Sequence, residues 1–129
     1  MGTNTAIEKE SYKAGDYIFF EGDLDQHFYI IESGEVQIFT KSTDGSRIDI
    51  IKINDGESFG EFALLDKKAR SASAQAITDV ELVKVSEAGY QQLLQELPVW
   101  ASSMMKSFTT RLRNMNQLMK AQDQFLAKK

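Results

Sequence analysis

The sequence predicts a mainly β fold, an antiparallel sandwich or roll followed by helices, and three observations carry that expectation. Short apolar runs broken by turn dipeptides fill the first two-thirds of the chain. The turn signals recur about every ten residues, a spacing that favours a sandwich or roll over a parallel sheet. After Ser86 the apolar spacing changes from the period of a strand to that of a helix.

The elements follow in order. Tyr17 to Phe20, Phe28 to Ile31, Val36 to Phe39, Ile48 to Ile53 and Val80 to Val85 read as strands. Between them Ala14-Gly15-Asp16, Glu21-Gly22-Asp23, Ser33-Gly34-Glu35, Asp44-Gly45 and Asp55-Gly56 can each supply a tight turn or a positive φ. Val80, Leu82, Val83 and Val85 partly alternate with Glu81 and Lys84, as a half-buried strand requires. Ser86 followed by Glu87 suits an N-cap with an acidic first turn, starting a short helix towards Leu97. Pro98, the single proline, suits the first turn of a second helix, where its missing N–H costs nothing. Nothing breaks that helix before about Ala127, which gives a rod of roughly 45 Å. The expected organisation is one domain, with residues 1–97 as the β unit and residues 98–129 as a C-terminal dimerisation or lid helix belonging to it.

Along the rod, Phe108, Leu112, Met115, Met119, Gln122 and Leu126 recur at alternating steps of four and three residues, a heptad seam widened by Leu118 and Phe125. Such a stripe can be the face a helix packs on its own domain. A helix this long reaches past a small β unit, so a parallel homodimer through it is the expected use. Charge is uneven as well: residues 1–98 hold 9 basic and 18 acidic side chains, and residues 99–129 hold 6 basic and one acidic. Lys106, Arg111, Arg113, Lys120, Lys128 and Lys129 are scattered round the helix without a helix-turn-helix to read a groove, so they are expected to be solvated, and no nucleic acid is expected to bind through this chain.

Composition excludes several function classes. At 129 residues one core is expected. Cysteine is absent and His27 is the only histidine, so neither a disulfide framework, a thiolate zinc site nor a multi-histidine metal centre can be assembled. The first ten residues lack the apolar run of a signal peptide, and no stretch approaches a membrane span. Gly2 does not complete a myristoylation motif, because Ala6 stands where Ser or Thr is needed. A cytoplasmic protein with no membrane association and no metal is the expectation.

The most informative stretch is Phe59-Gly60-Glu61-Phe62-Ala63-Leu64-Leu65, followed four residues later by Arg70-Ser71-Ala72-Ser73-Ala74. Gly60 lets backbone approach a ligand, and Glu61 to Leu65 can form a helical turn whose free N–H groups face an anion. Arg70 offers a fork of donors matched to two phosphate oxygens. Glu61 cannot favour a phosphate, and a carboxylate beside a nucleotide serves best as acceptor for a ribose hydroxyl. Small residues at Ala63, Ser71, Ala72 and Ser73 leave room and add donors. Against this stands a plainer reading, in which Glu61 and Arg70 form an ion pair that staples a loop.

This stretch resembles the phosphate-binding cassette of cyclic-nucleotide-binding domains. The likeness extends in order and spacing through Tyr12-Lys13-Ala14-Gly15-Asp16-Tyr17-Ile18-Phe19, Glu21-Gly22-Asp23, Phe28 to Val36 and Asp55 to Glu61, about 80 residues in all. It resembles the sensor domains of bacterial catabolite activator proteins and of cyclic-nucleotide-dependent kinase regulatory subunits. The resemblance implies an eight-stranded, jelly-roll-like antiparallel β-roll with short flanking helices and the ligand between cassette and inner sheet face. It implies Glu61 on the ribose 2′-hydroxyl, Arg70 on the cyclic phosphate, and Gly60, Phe62, Ala63, Ser71 and Ala72 shaping the cradle. Ile38 and Ile50 fall where the family's apolar wall meets base and sugar. The long helix resembles the activators' dimer helix and brings Met115 and Asn116 near the base. Met115 departs from the Thr and Ser common there, leaving Asn116 as the candidate to meet the base, reaching across the dimer. The pattern looks bacterial, which favours cAMP over cGMP as ligand; Ser71 occurs after the cassette arginine with either nucleotide.

Enzymatic readings lack their residues. Metal-dependent β-rolls need a histidine-rich ligand set, and Ser71 and Ser73 have no histidine in the motif to activate them. The expected function is therefore a non-catalytic sensor in which cyclic nucleotide binding moves the C-terminal helix. The alternative is a β-roll interaction or scaffold module with weak or no nucleotide binding. Retention of both Glu61 and Arg70 counts against it, because a desolvated charge pair is costly without a ligand. No output segment follows Lys129, so the expectation is either a free-standing sensor or a domain whose output partner is missing.

Overall fold

The computed structural model describes residues 7–61 and 69–127, with only the backbone path for residues 116, 117 and 119–127. Eight strands run in chain order as β1 (Ile7–Tyr12), β2 (Tyr17–Phe19), β3 (Phe28–Ser33), β4 (Val36–Lys41), β5 (Arg47–Ile53), β6 (Ser58–Phe59), β7 (Ser73–Ala76) and β8 (Val80–Val85). They form two four-stranded antiparallel sheets, ordered β1-β8-β3-β6 and β2-β7-β4-β5. This is the expected roll, with the long C-terminal helix after it.

β8 is central to the first sheet because its alternation gives it one face to bury. It pairs with β1 from Ile7↔Val85 to Tyr12↔Val80, and with β3 from Phe28↔Val85 to Ile31↔Leu82. Val80, Leu82 and Val85 are buried accordingly. The core lies between the sheets: Tyr29, Ile31, Phe59, Val80 and Leu82 from the first meet Phe19, Val36, Ile53, Ala74 and Ala76 from the second. Each large apolar side chain buried here contributes about 1.5–3 kcal/mol relative to leaving it in water.

Gly34, between β3 and β4, has φ +107°, and a Cβ there would stand 2.5 Å from the Asp79 carbonyl oxygen and 2.8 Å from Val80 Cγ2. That close approach fixes the β3–β4 turn against the start of β8. The β4–β5 turn is tied by Asp44, whose carboxylate accepts from the hydroxyls of Ser42 and Ser46 and from the Ser46 N–H. These bonds, the Ser42 hydroxyl first, draw the Asp44 carboxyl down to about 2.

β5 is an edge strand of the second sheet, and it carries an irregularity. Ile51 pairs with Ile38, whereas Asp49 pairs with Phe39, so Ile50 is the extra residue of a bulge. On the opposite side of the sheet from the core, Phe39 is covered by the Arg47 guanidinium, 3.8 Å from its ring centroid.

The chain divides into two compact units, Met1–Tyr90 and Gln91–Lys129. The division falls within the first helix, seven residues before the boundary expected at Leu97. That helix, α1, spans Glu87–Gln95. Ser86 caps it as expected: its Oγ accepts from Gly89 N at 3.1 Å and its carbonyl from Tyr90 N at 2.9 Å. The second helix, α2, runs unbroken over Val99–Ala127. Pro98 stands immediately before it, and its carbonyl accepts from the N–H groups of Ala101 and Ser102 at 3.0 Å. Phe108, Leu112, Met115 and Leu118 are exposed along α2.

Candidate functional site

Arg70 organises the site. Its backbone is gripped from both sides by the β2–β3 loop, with Gly22 N donating to Arg70 O and Arg70 N to Asp23 O, both at 2.8 Å. Its side chain turns inward and is 5% exposed at the residue level. The guanidinium lies over the ring of Phe19, with Cζ 4.0 Å from the centroid, and 5.8 Å from that of Tyr29. Phe59 stacks on Tyr29 at 5.2 Å and completes an aromatic floor. Burying a cation here would be costly alone, and three hydrogen bonds offset the cost. Nη1 donates to the Gly60 carbonyl at 2.9 Å, and Nη2 donates to the His27 carbonyl at 2.6 Å and to Asp25 Oδ2 at 3.0 Å.

Gly60 follows β6 with φ +82°, and a Cβ there would stand 2.8 Å from Arg70 Nη1. The glycine therefore turns the chain and lets its carbonyl reach the arginine. Glu61, next in the chain, has helical backbone. Among the described residues its Oε2 is buried without a hydrogen-bond partner, as is Arg70 Nε. Buried polar atoms are nearly always satisfied, so an orphaned acceptor and an orphaned donor fit a ligand that brings both a hydroxyl and an anionic oxygen.

Behind Arg70 lies a second layer. Asp25 Oδ2 also accepts from the Tyr29 hydroxyl at 3.0 Å, and its Oδ1 is bonded to His27 Nδ1. Burial alone would raise the Asp25 carboxyl, but the bonds from His27 and Arg70, the Arg70 charge and the Tyr29 hydroxyl together hold it below the ordinary carboxylate value. Burial and the neighbouring Asp25 charge push the Tyr29 hydroxyl far up. The Tyr12 hydroxyl, burial acting first and its bond to Glu10 next, is likewise raised.

The residues expected from the sequence are distributed as follows. Gly60 and Arg70 are in direct contact, and Glu61 follows Gly60. Arg70 is not stapled to Glu61; its ion pair is with Asp25. Ser71 is exposed and Ala72 half-buried. Ser73 is buried and its Oγ accepts from Glu21 N at 2.8 Å, so that hydroxyl ties the β2–β3 loop to β7. Ile38 packs against the core, whereas Ile50, displaced by the bulge, is 56% exposed. Phe62 and Ala63, with the rest of the expected helical turn, lie outside the described residues, as does the side chain of Asn116.

Asp25, His27, Phe19 and Tyr29 were not expected to serve Arg70. Asp25 is 45 residues away in sequence, and nothing local in an Asp-Gln-His stretch announces a partner that only the fold supplies. Among the described residues no group of three or more His, Asp or Glu could hold a metal, and no helix is long and apolar enough to cross a membrane.

A two-sheet roll with a buried arginine beside orphaned polar atoms has the chemistry of a ligand-binding domain. The family pattern "Cyclic nucleotide-binding domain" matches residues 9–97, and the chain belongs to that family. Its relatives include the "Cyclic AMP receptor protein" of Thermus thermophilus, 37% identical over 83% of this chain and 50% of the relative. They also include a "cAMP-dependent protein kinase regulatory subunit" of Emericella nidulans, 39% identical over 69% of this chain and 21% of the relative. The chain thus spans half or less of the length of these relatives. Among solved structures, an EAL enzyme in a half-site-occupied form superposes with a TM-score of 0.78 at 32% identity, over 86% of this chain and 99% of that one. The same enzyme has been solved in cAMP-bound and cGMP-bound forms, which superpose at 0.64 and 0.65 with 31% identity, over 93% of this chain and about a third of theirs.

Proposed function

We propose that this domain binds a 3′,5′-cyclic nucleotide with Arg70 on the cyclic phosphate and Glu61 on the ribose 2′-hydroxyl, cAMP being favoured over cGMP. The observation that carries the reading is the orphaned pair, Glu61 Oε2 and Arg70 Nε. A ribose hydroxyl would satisfy the first and a phosphate oxygen the second, removing the cost of two unpaired buried groups. Gly60 and the half-buried Ala72 give the ligand its room, with Phe62, Ala63 and Ser71 as the remaining cassette positions, and Ile38, Ile50 and Asn116 as the side towards sugar and base. The names of both curated relatives support cAMP. The EAL enzyme's two forms, at similar likeness, keep cGMP as the ligand to test beside it.

Residues 98–129 are, in this reading, the moving and dimerising part of the same domain. The exposed stripe of Phe108, Leu112 and Met115 on α2 supports a parallel homodimer, since an apolar seam left in water is unfavourable. The domain is read as non-catalytic and cytoplasmic, with its signal passed to an output partner.

A second reading has one observation in its favour. Arg70 is already paired with Asp25 and two carbonyls, so its burial does not by itself demand a ligand. A scaffold module keeping the pair for stability is consistent with that. Titration calorimetry with cAMP and cGMP separates the two: heat with either, lost in Arg70→Ala, supports the sensor, and no heat with both supports the scaffold.

A further inference from the structure

His27 touches Arg70 in two ways, and this sets it apart from the rest of the site. Its carbonyl accepts from Arg70 Nη2 at 2.6 Å, and its ring holds the carboxylate that accepts from the same nitrogen. The ring is about one-third exposed and so open to solvent, whereas the Arg70 side chain is 3% exposed. The geometry points to His27 as a positioning residue that acts through Asp25 on the anion-binding arginine and makes cyclic nucleotide affinity rise as the imidazole gains a proton. This rests on the reading of Arg70 as the phosphate ligand.

The argument is one of shared charge. Asp25 carries a single negative charge spread over two oxygens, one on the His27 ring, the other on Arg70 and Tyr29. With a neutral imidazole, that charge is balanced by Arg70 alone. A phosphate reaching Arg70 then faces both a guanidinium already engaged and a carboxylate of its own sign. Protonation of His27 supplies a second cation to Asp25, loosens its demand on Arg70 and reduces the repulsion met by the phosphate. Both effects have the same sign. By linkage, ligand binding takes up a proton wherever affinity rises on acidification.

The other groups facing this layer come from β1, β3, β8 and the cassette. On β1, Tyr12 is raised well beyond its ordinary range and bonds to Glu10. On β3, Tyr29 is raised further. Asp25 itself is lowered, and so stays ionised. On β8, Lys84 pairs with Glu10 at 3.8 Å. On the cassette side stand Glu61 and Arg70, the latter charged throughout. Histidine is the side chain type whose charge changes between about pH 5 and 8. A cyclic phosphodiester keeps one negative charge over the same interval.

The test is calorimetry of the whole chain with cAMP and with cGMP from pH 6 to pH 8, repeated in buffers of different ionisation heat. Expected are binding about three- to tenfold tighter at pH 6 than at pH 8, with net proton uptake. His27→Gln should flatten the profile, and His27→Lys, with a cation that does not titrate here, should hold the acid-side affinity up to pH 8. Asp25→Asn, which breaks the relay at its middle, should also flatten it. A flat wild-type profile with measurable binding overturns this inference alone, and so does a His27→Gln profile as steep as wild type. Absence of binding at every pH overturns the ligand reading and this inference with it.

Discussion

Gly60 and Arg70 are fitted to one another: the glycine's carbonyl takes the arginine's Nη1, and a single added Cβ on the glycine would stand 2.8 Å from that same nitrogen. The backbone at Gly60 is also in a conformation that other residues adopt only under strain. Gly60→Ala is therefore expected to displace the guanidinium and to cost more than about 1 kcal/mol of stability. Thermal melts should record the second effect, and calorimetry at least about a tenfold loss of nucleotide affinity should record the first. An alanine variant that binds as wild type would show that the position of Arg70 is unimportant.

Arg70→Ala should lower nucleotide binding by about 2–5 kcal/mol, as for removing one member of a buried charged contact. Arg70→Lys keeps the charge and loses the fork, so its affinity is expected between the two. Equal affinities for the lysine variant and wild type would remove the need for a bidentate contact.

Glu61→Ala should cost about 1–3 kcal/mol and erode discrimination against the 2′-deoxy nucleotide. Competition between ribo and deoxy ligands reads this directly. The same loss for both would transfer the carboxylate's role from the sugar to the fold.

Acid should weaken the fold partly through Asp25. Its native carboxyl is lower than in the unfolded chain, so the unfolded state binds the proton first. The stabilisation is complete above the ordinary carboxylate value and is lost as pH falls through the depressed native one. Denaturant midpoints measured from about pH 7 down to about pH 3 should fall less steeply for Asp25→Asn than for wild type. Parallel curves would assign the acid sensitivity to other groups.

For the C-terminal helix, Leu112→Glu is expected to convert a dimer to a monomer in sedimentation equilibrium, because it places a charge in the proposed seam. A wild-type monomer at high concentration would remove the dimer from the proposal.

Much of this architecture was legible in the residues, and the rest was not for physical reasons. Strands with strong apolar patterns, Phe28–Ser33 and Val80–Val85 among them, were readable because alternation reports a buried face. β1 was missed because Ile7–Tyr12 has apolar side chains only at its two ends and owes its conformation to pairing with β8 along its whole length. β7 was missed because Ser73–Ala76 is built of small residues and sits between β2 and β4, where larger ones would not pack. Ile50 was expected to face inward with Ile38 from alignment with the family, and the bulge that leaves it exposed is invisible in an alignment. At the site, Gly60, Glu61 and Arg70 lie within one contiguous motif. Asp25 and His27 do not, because a partner supplied across 45 residues leaves no local trace.

The double main-chain bond between Arg70 and the Gly22–Asp23 segment restricts how this residue can respond to anything it binds. With N–H and C=O both committed, the Cα is anchored like a residue inside a ladder, and only the side-chain torsions are left to answer a ligand. Amide hydrogens at Gly22 and Arg70 should accordingly exchange with solvent in one opening event. Any ligand that Arg70 takes would thus meet a side chain free to turn on a main chain held still.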